Sequence, residues 1–237
     1  GTIAFRTGST GSLNQTIVEY GGSVGGSVIL ASGQVQVLES TIQYSANGGI
    51  AILDASPLIS ATMFLTNTGG FYGGGIYNDS GSPTIQNNSF RDNTNSSYYV
   101  YGYGGGIYNG SGSPVIQNNT FGDNSAHTAG GGVYNLSGNP TIQENTFEGN
   151  SAISGGGIYS ESGNLTIQNN SFEGNYAPRG GGIYNGSGNL TIQNNTFEDN
   201  SATYGGGTYN GSGSTTIQHN SYTSNGGGAI YNDSGDA

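Results

Sequence analysis

Cysteine, tryptophan and lysine are absent from this 237-residue chain, and only 7% of its residues are charged. Without cysteine there is no disulfide framework and no thiolate to act as nucleophile or metal ligand. Three arginines against 14 acidic residues give a net charge of −11. That charge argues against nucleic acid or an anionic membrane surface as a partner. No apolar run approaches the roughly 20 residues that span a bilayer, so we expect no membrane insertion.

Glycine is abundant, with 47 residues, while hydrophobic residues make up only 32% of the chain. A chain this poor in apolar side chains folds only if their placement gathers them into one core. The placement is periodic. A Gly-Gly-Gly tripeptide, followed by Ile-Tyr-Asn or a variant, begins at Gly73, Gly104, Gly130, Gly155, Gly180, Gly205 and Gly226. A second motif, Thr-Ile-Gln-Asn-Asn-Ser/Thr-Phe, recurs on the same grid.

The two motifs keep a constant spacing. Their first apolar residues are nine positions apart, as at Ile76 and Ile85, and the same offset recovers degenerate repeats upstream, as at Val28 and Val37. Each repeat holds short alternating segments separated by Gly, Asn and Ser clusters, which indicates strands. We predict an all-β chain: a right-handed parallel β-helix (β-solenoid) of about nine coils of roughly 25 residues, with three short strands per coil. It forms one domain over 1–237, with degenerate coils at 1–70 and regular coils at 71–237.

One asparagine recurs in every regular repeat as the last residue of the Gln-Asn-Asn triplet. We predict that its amide bonds its copies in the coils above and below, as stacked asparagine ladders do. The asparagine before it is replaced by Glu144 and His219 in two repeats, so we expect that position to face solvent. The recurring residues are Asn88, Asn119, Asn145, Asn170, Asn195 and Asn220.

These motifs resemble the paired GGA[ILV] and FxxN repeats of the chlamydial polymorphic membrane proteins and, more broadly, secreted bacterial right-handed β-helix repeat proteins. The second repeat type reads from Phe90 to Asn93 and from Phe121 to Asn124, whereas the first carries Gly where Ala is usual. Those chlamydial proteins are surface adhesins exported as autotransporter passengers. The resemblance therefore implies an extracellular or cell-surface location and an adhesive role.

Catalysis on acidic polysaccharides is the opposing hypothesis. Catalytic β-helices of that kind resemble this fold, and they need clustered carboxylates, or bound Ca²⁺ with a nearby cation. The nearest acidic group here is a file one coil apart, Glu148, Glu173 and Glu198. Because such a file is more often a solvated face, we predict no catalytic residue, cofactor or metal, with Ca²⁺ at this file as the alternative. His127 and His219 occupy different coil positions without a visible acid or nucleophile beside them.

Tyrosines provide two candidate surfaces. The tyrosine after the first inward residue recurs in each regular repeat, and we predict an outward aromatic stack that stiffens the rod, with a platform for sugars or lateral rod contacts as the alternative. The members are Tyr77, Tyr108, Tyr134, Tyr159, Tyr184, Tyr209 and Tyr231. The longest repeat carries an insertion, and loops leaving a solenoid carry recognition. Its predicted binding residues are Tyr98, Tyr99, Tyr101 and Tyr103.

Sequons for N-glycosylation also recur, which makes modification a hypothesis. They begin at Asn78, Asn109, Asn135, Asn185, Asn210 and Asn232, and at Asn87, Asn118, Asn169 and Asn194. The threonine and glutamine files of the second motif should form a flat polar face. Such a face keeps ice binding as a remote alternative.

Self-association is predicted from the repeat grid. The last first-segment residue is Ile230, and adding the nine-residue offset reaches the place where Thr2 and Ile3 of a following copy would fall. One copy's N-terminal strand would then complete the next coil of its neighbour, a heterologous contact that generates filaments. The predicted function is a non-catalytic extracellular structural or adhesive β-solenoid, with itself and surface glycans as partners. Carbohydrate binding or polysaccharide degradation is the alternative.

Overall fold

The structure is a computed structural model that describes residues 2–21, 27–31, 33–70, 72–95 and 101–234. These residues form an all-β, right-handed parallel solenoid of about nine turns, and no helix occurs among them. Strands pair in parallel with their counterparts one repeat away, as the nine-residue offset requires. The predicted fold class is confirmed.

Three sheets run along the rod, each taking one strand from each coil. The first sheet contains β1 (Ile3–Phe5), β4 (Val28–Leu30), β7 (Ile50–Ile52), β11 (Ile76–Asn78), β15 (Ile107–Asn109), β19 (Val133–Asn135), β22 (Ile158–Ser160), β25 (Ile183–Asn185), β28 (Thr208–Asn210) and β31 (Ile230–Asn232). The second contains β2 (Gly11–Asn14), β5 (Val35–Leu38), β8 (Leu58–Ser60), β12 (Thr84–Gln86), β16 (Val115–Gln117), β20 (Thr141–Gln143), β23 (Leu165–Gln168), β26 (Leu190–Gln193) and β29 (Thr215–Gln218). The third contains β3 (Ile17–Glu19), β6 (Thr41–Gln43), β9 (Met63–Leu65), β13 (Ser89–Arg91), β17 (Thr120–Gly122), β21 (Thr146–Glu148), β24 (Ser171–Glu173), β27 (Thr196–Glu198) and β30 (Ser221–Thr223).

A fourth side closes the coils between each third-sheet strand and the following glycine triplet. It begins as a three-stranded sheet of two-residue strands, β10 (Thr68–Gly69), β14 (Thr94–Asn95) and β18 (Ser125–Ala126). It continues as isolated parallel bridges, for example between Ser151 and Tyr176. The prediction of three strands per coil missed this side, because two-residue strands of small polar residues show no apolar alternation.

The core is one continuous cluster of inward side chains. Ile76, Ile85 and Phe90 are fully buried in it, one from each of the three sheets. The phenylalanines stack from coil to coil with ring centroids 4.6 to 4.8 Å apart, from Phe64 to Phe197. Many small contacts therefore accumulate along one axis, although each coil buries little alone.

In the triplets that begin at Gly73, Gly104, Gly130, Gly155 and Gly180, the third glycine lies against one of these rings. A Cβ at Gly132 would stand 2.7 Å from the Gly157 carbonyl oxygen and 2.9 Å from Cδ1 of Phe147. Both distances are too short for a real side chain. In these regular coils the position therefore has no room for a Cβ.

Asparagine ladders hold three corners of the coil. Asn88 donates from Nδ2 to Oδ1 of Asn119 at 3.0 Å and to the Ile59 carbonyl at 3.0 Å, so the predicted ladder exists. Two further ladders run through the last residues of the FxxN motif and of the first-sheet strands, as in Asn93 to Asn124 at 3.0 Å. The residue before the predicted ladder is exposed and left-handed, with φ between 54° and 57° at Asn87, Asn118, Glu144, Asn169, Asn194 and His219.

Candidate functional site

The tyrosine ladder stacks in register on the outer face of the first sheet. Ring centroids of successive members are 4.7 to 5.5 Å apart. The expectation that the whole ladder faces solvent is wrong, because Tyr108, Tyr134 and Tyr209 are buried. Tyr72 covers Tyr108 at 4.5 Å between centroids, and Tyr103 covers Tyr134 at 4.7 Å.

Stacking also determines which parts of the ladder tyrosines a ligand can contact. The rings of Tyr134, Tyr159 and Tyr184 are nearly parallel, with interplanar angles of 3°. Each ring face is therefore covered by the next tyrosine, and only ring edges and hydroxyls point outward. A sugar stacks on an aromatic face, so the ladder does not provide the platform considered from sequence.

Three ladder hydroxyls donate to carboxylates: Tyr77 to Asp79 at 2.8 Å, Tyr159 to Glu161 at 2.7 Å and Tyr209 to Asp233 at 3.1 Å. Burial, followed by these hydrogen bonds, raises the pKa of Tyr77 and of Tyr209 to about 12. Burial likewise raises the pKa of Tyr108, Tyr134 and Tyr159. The hydroxyls of these five tyrosines therefore stay protonated at neutral pH.

The described part of the insertion holds two of the four predicted binding tyrosines. Tyr98 and Tyr99 lie outside the described residues. Tyr103 folds back onto the rod: it bridges Tyr72 and Ala129 in parallel, and its ring packs on Tyr134. Tyr101 exposes 54% of its surface and stacks on Tyr103 at 6.0 Å. Among the described members of the predicted binding set, Tyr101 is thus the one that presents a broad exposed surface.

Tyr176 and Tyr204 on the fourth side form an exposed group that sequence reasoning missed. Tyr176 is 55% exposed and stands in one column between Ser151 and Ser201, so neither neighbouring coil places an aromatic ring beside it in that column. Tyr204, 48% exposed, follows Arg179 in the neighbouring column. The signal was present as a tyrosine replacing serine in an otherwise small-residue column.

The sequons divide into two groups. Those on the first-sheet ladder are at most 1% exposed, and their amides are bonded inside the corner, so the hypothesis of glycosylation there is wrong: Asn78, Asn109, Asn135, Asn185 and Asn210. Strict alternation after the outward tyrosine places these residues inward, and that signal was available. The exposed sequon asparagines, where modification stays a prediction, are Asn87, Asn118, Asn169, Asn194 and Asn232.

The acidic file is in register on the outer face of the third sheet. Glu148 pairs with Glu173, and Glu173 with Glu198, and all three are exposed. Within the described ranges, no group of three or more His, Cys, Asp or Glu side chains is placed to hold a metal ion. Like charges in neighbouring strands repel. Because all three carboxylates are exposed, water and salt screen this repulsion.

The N-terminal strand does not lie where the grid placed it. Ile3 pairs with Val28 in the column of Ile230, so it belongs to the first sheet. The prediction that Thr2 and Ile3 fill the next second-sheet position after Ile230 is wrong, because the opening coil breaks the nine-residue offset. Its second-sheet residue is Leu13, ten positions after Ile3.

The described residues contain no helix with the length and apolar character needed to cross a membrane. The family model for the right-handed beta helix region matches residues 3–154 and 103–237, and the chain belongs to this family. No curated protein and no solved structure matches the chain. The family includes enzymes and non-enzymes, so membership fixes the fold and leaves the activity open.

Proposed function

We propose that this chain is a non-catalytic structural or adhesive protein of the cell exterior, a stiff rod that contacts its partner through the fourth side. The resemblance of its repeats to exported adhesins supports the location. The observation that carries the adhesive role is the set of exposed tyrosines on that side, Tyr101, Tyr176 and Tyr204. Tyrosine offers a large contact area at small entropic cost and brings a hydroxyl to the interface.

Surface glycans are the partner class that this group suits best. Tyr176 has no aromatic neighbour in its own column; Arg179 lies three residues further along the same coil, and Tyr204 pairs with Arg179 from the next coil. An apolar sugar face can pack on such a ring while hydroxyls bond the polar neighbours. Carbohydrate binding without turnover is therefore part of the proposal.

An array of immobilised neutral and acidic oligosaccharides tests this proposal. Replacing Tyr101, Tyr176 and Tyr204 together by serine should abolish binding, because it removes the exposed rings and leaves the core untouched. The matched control replaces Tyr20 and Tyr44, which are exposed at 73% and 41% elsewhere on the rod. Binding that is absent in the parent chain, or equal in both variants, contradicts the proposal.

Polysaccharide degradation is the second candidate, favoured by the in-register column of Glu148, Glu173 and Glu198. Incubation with acidic polysaccharides and assay of new reducing ends and unsaturated products test it. Products that form with the parent chain and are lost in Glu173→Gln would assign an enzyme. No product from either chain supports the non-catalytic proposal.

We also propose that copies of the chain associate end to end, and that they join through the first sheet alone. That sheet has ten described strands against nine in the second and third, so a copy added with β1 on β31 leaves those two sheets one strand short. The same placement puts Ile3 beside Ile230 and Arg6 beside Asp233, an opposite-charge pair. Sedimentation velocity should detect association that Arg6→Asp abolishes and Asp233→Arg restores in combination. Monomers at all concentrations contradict it.

A further inference from the structure

The tyrosine ladder is a continuous chain of phenols linking two exposed regions of the rod. From one end, Tyr204 contacts Tyr231 at 5.1 Å between centroids, and the stack then runs through the ladder to Tyr134. From Tyr134 it passes to Tyr103 at 4.7 Å and to the exposed Tyr101 at 6.0 Å. Each step joins two rings whose centroids are 4.7 to 6.0 Å apart, a separation that electrons cross readily.

Stacking alone does not require these hydroxyls. The phenylalanine column of the third sheet stacks at 4.6 to 4.8 Å and is fully buried. The tyrosine column adds phenols, and it adds carboxylates that accept their protons, as in Tyr159 to Glu161 at 2.7 Å. A base within hydrogen-bond reach can take a proton as the electron leaves. The rings of the two columns therefore stack in the same way, but only the tyrosine column can be oxidised with loss of a phenolic proton.

We propose that the tyrosine ladder relays oxidising equivalents along the rod. A one-electron oxidant in solution takes an electron from an exposed tyrosine, whose phenolic proton passes to water; within the ladder, Glu161 accepts the proton of Tyr159 and Asp233 that of Tyr209. The neutral tyrosyl radical then takes an electron from the next phenol and regains a proton, while that phenol loses its own. Overall the oxidant gains one electron, and a tyrosine at the far end loses one electron and one proton.

The absence of cysteine allows a single oxidant to be attached at one end. Thr203→Cys places one thiol beside Tyr204 for a ruthenium polypyridyl complex, which a flash and an electron-accepting quencher convert to the ruthenium(III) oxidant. A spin trap captures tyrosyl radicals, and peptide mass spectrometry locates the adducts. We expect adducts at Tyr231, close to the complex, and at Tyr101, at the other end of the stack.

Tyr159→Phe tests whether the ladder carries the radical, because it keeps the stack and removes one phenol. We expect loss of the Tyr101 adduct with the Tyr231 adduct unchanged. Tyr176→Phe removes a phenol that lies outside the ladder, so both adducts should still form in this variant. An unchanged thermal unfolding midpoint in Tyr159→Phe shows that the loss is not unfolding. A Tyr101 adduct that persists in Tyr159→Phe, or that is absent from the parent protein, overturns the relay.

Discussion

The coils before residue 70 and the regular coils after it share the same three sheets but build their corners differently. At the end of the first-sheet strands the early coils place apolar residues, Phe5, Leu30 and Ile52, in the column that continues as Asn78 and its copies. Register is identical across the change. Strand pairing and the inward apolar columns therefore set the coil, and the corner can be apolar or amide.

The two kinds of corner couple their coils differently. An apolar corner is stabilised by area removed from water, which tolerates small shifts. A ladder asparagine bonds both neighbouring coils: Asn150 donates to the Phe121 carbonyl at 2.9 Å and to Asn175 at 2.9 Å, and it accepts from Asn124 at 3.0 Å. Each regular coil thus depends on the coils on either side for buried hydrogen bonds.

Breaking a ladder should have the largest effect. Asn150→Ala removes these bonds, and it leaves the buried backbone N–H of Asn124 without its acceptor and the Phe121 carbonyl without this donor. We therefore expect a loss of more than about 3 kcal/mol in the free energy of unfolding. Ser45→Ala, in the same column of the early coils, should cost only about 1 kcal/mol because fewer groups lose partners. Urea denaturation measures both.

A control for this comparison is Asn118→Gly, at the exposed left-handed residue beside the ladder. Glycine adopts φ 54° without strain, so the free energy of unfolding should change by no more than about 0.5 kcal/mol. Equal losses for Asn150→Ala and Ser45→Ala would show that the amide ladders do not distinguish the regular coils.

A second test concerns the glycine under the phenylalanine ring. Gly157→Ala would place a Cβ 2.6 Å from the Gly182 carbonyl oxygen and 3.1 Å from Cδ1 of Phe172, and we expect a loss of about 1 to 3 kcal/mol. The early coils accept Ser27 in this column, where Ile42 stands in the place of the ring. Adding Phe172→Leu to Gly157→Ala should therefore cost less than the sum of the two single changes.

A gap in the first-sheet ladder offers a stabilising change. Ser160 replaces the asparagine, its hydroxyl donates to the Ser162 carbonyl, and the buried Oδ1 of Asn185 is left unpaired. Ser160→Asn should restore the bond and add about 1 kcal/mol to stability, read from the urea midpoint. Ser160→Asp has the same shape without an amide donor and should destabilise. A loss of stability in both variants would mean that the corner has no room for the longer side chain.

Much of the fold was readable from sequence because identical residues stack on identical residues. The offset between Ile76 and Ile85 fixed two sheets, and the recurring Asn88 fixed one ladder. The burial of Asn78 was also implied by alternation, but its place in a sequon suggested a surface turn. A repeat pattern reports which positions match one another, and it reports burial only where alternation is followed through to the corner.

What could not be read came from contacts between different columns. The cover that Tyr72 and Tyr103 place over the tyrosine ladder joins residues with no common period. The first-sheet position of Ile3 depends on an opening coil that breaks the grid. The exposed Tyr176 depends on which small residues flank it one coil away on either side. A periodic pattern carries no information about such exceptions, and the candidate sites lie where they occur.

The smallest expected effect is alkaline destabilisation of the regular coils. The outward column that holds Ala4, Ile29 and Ala51 in the early coils becomes tyrosine from Tyr77 onward. The folded pKa of Tyr77 is raised to about 12 from 10.0. A neutral acid with a raised folded pKa contributes stability that is complete below pH 10 and is lost as the pH rises to about 12, since the unfolded chain ionises first. The thermal unfolding midpoint should fall across this window, and less so in Tyr77→Phe. A midpoint that falls equally in both proteins would show that the alkaline loss arises elsewhere.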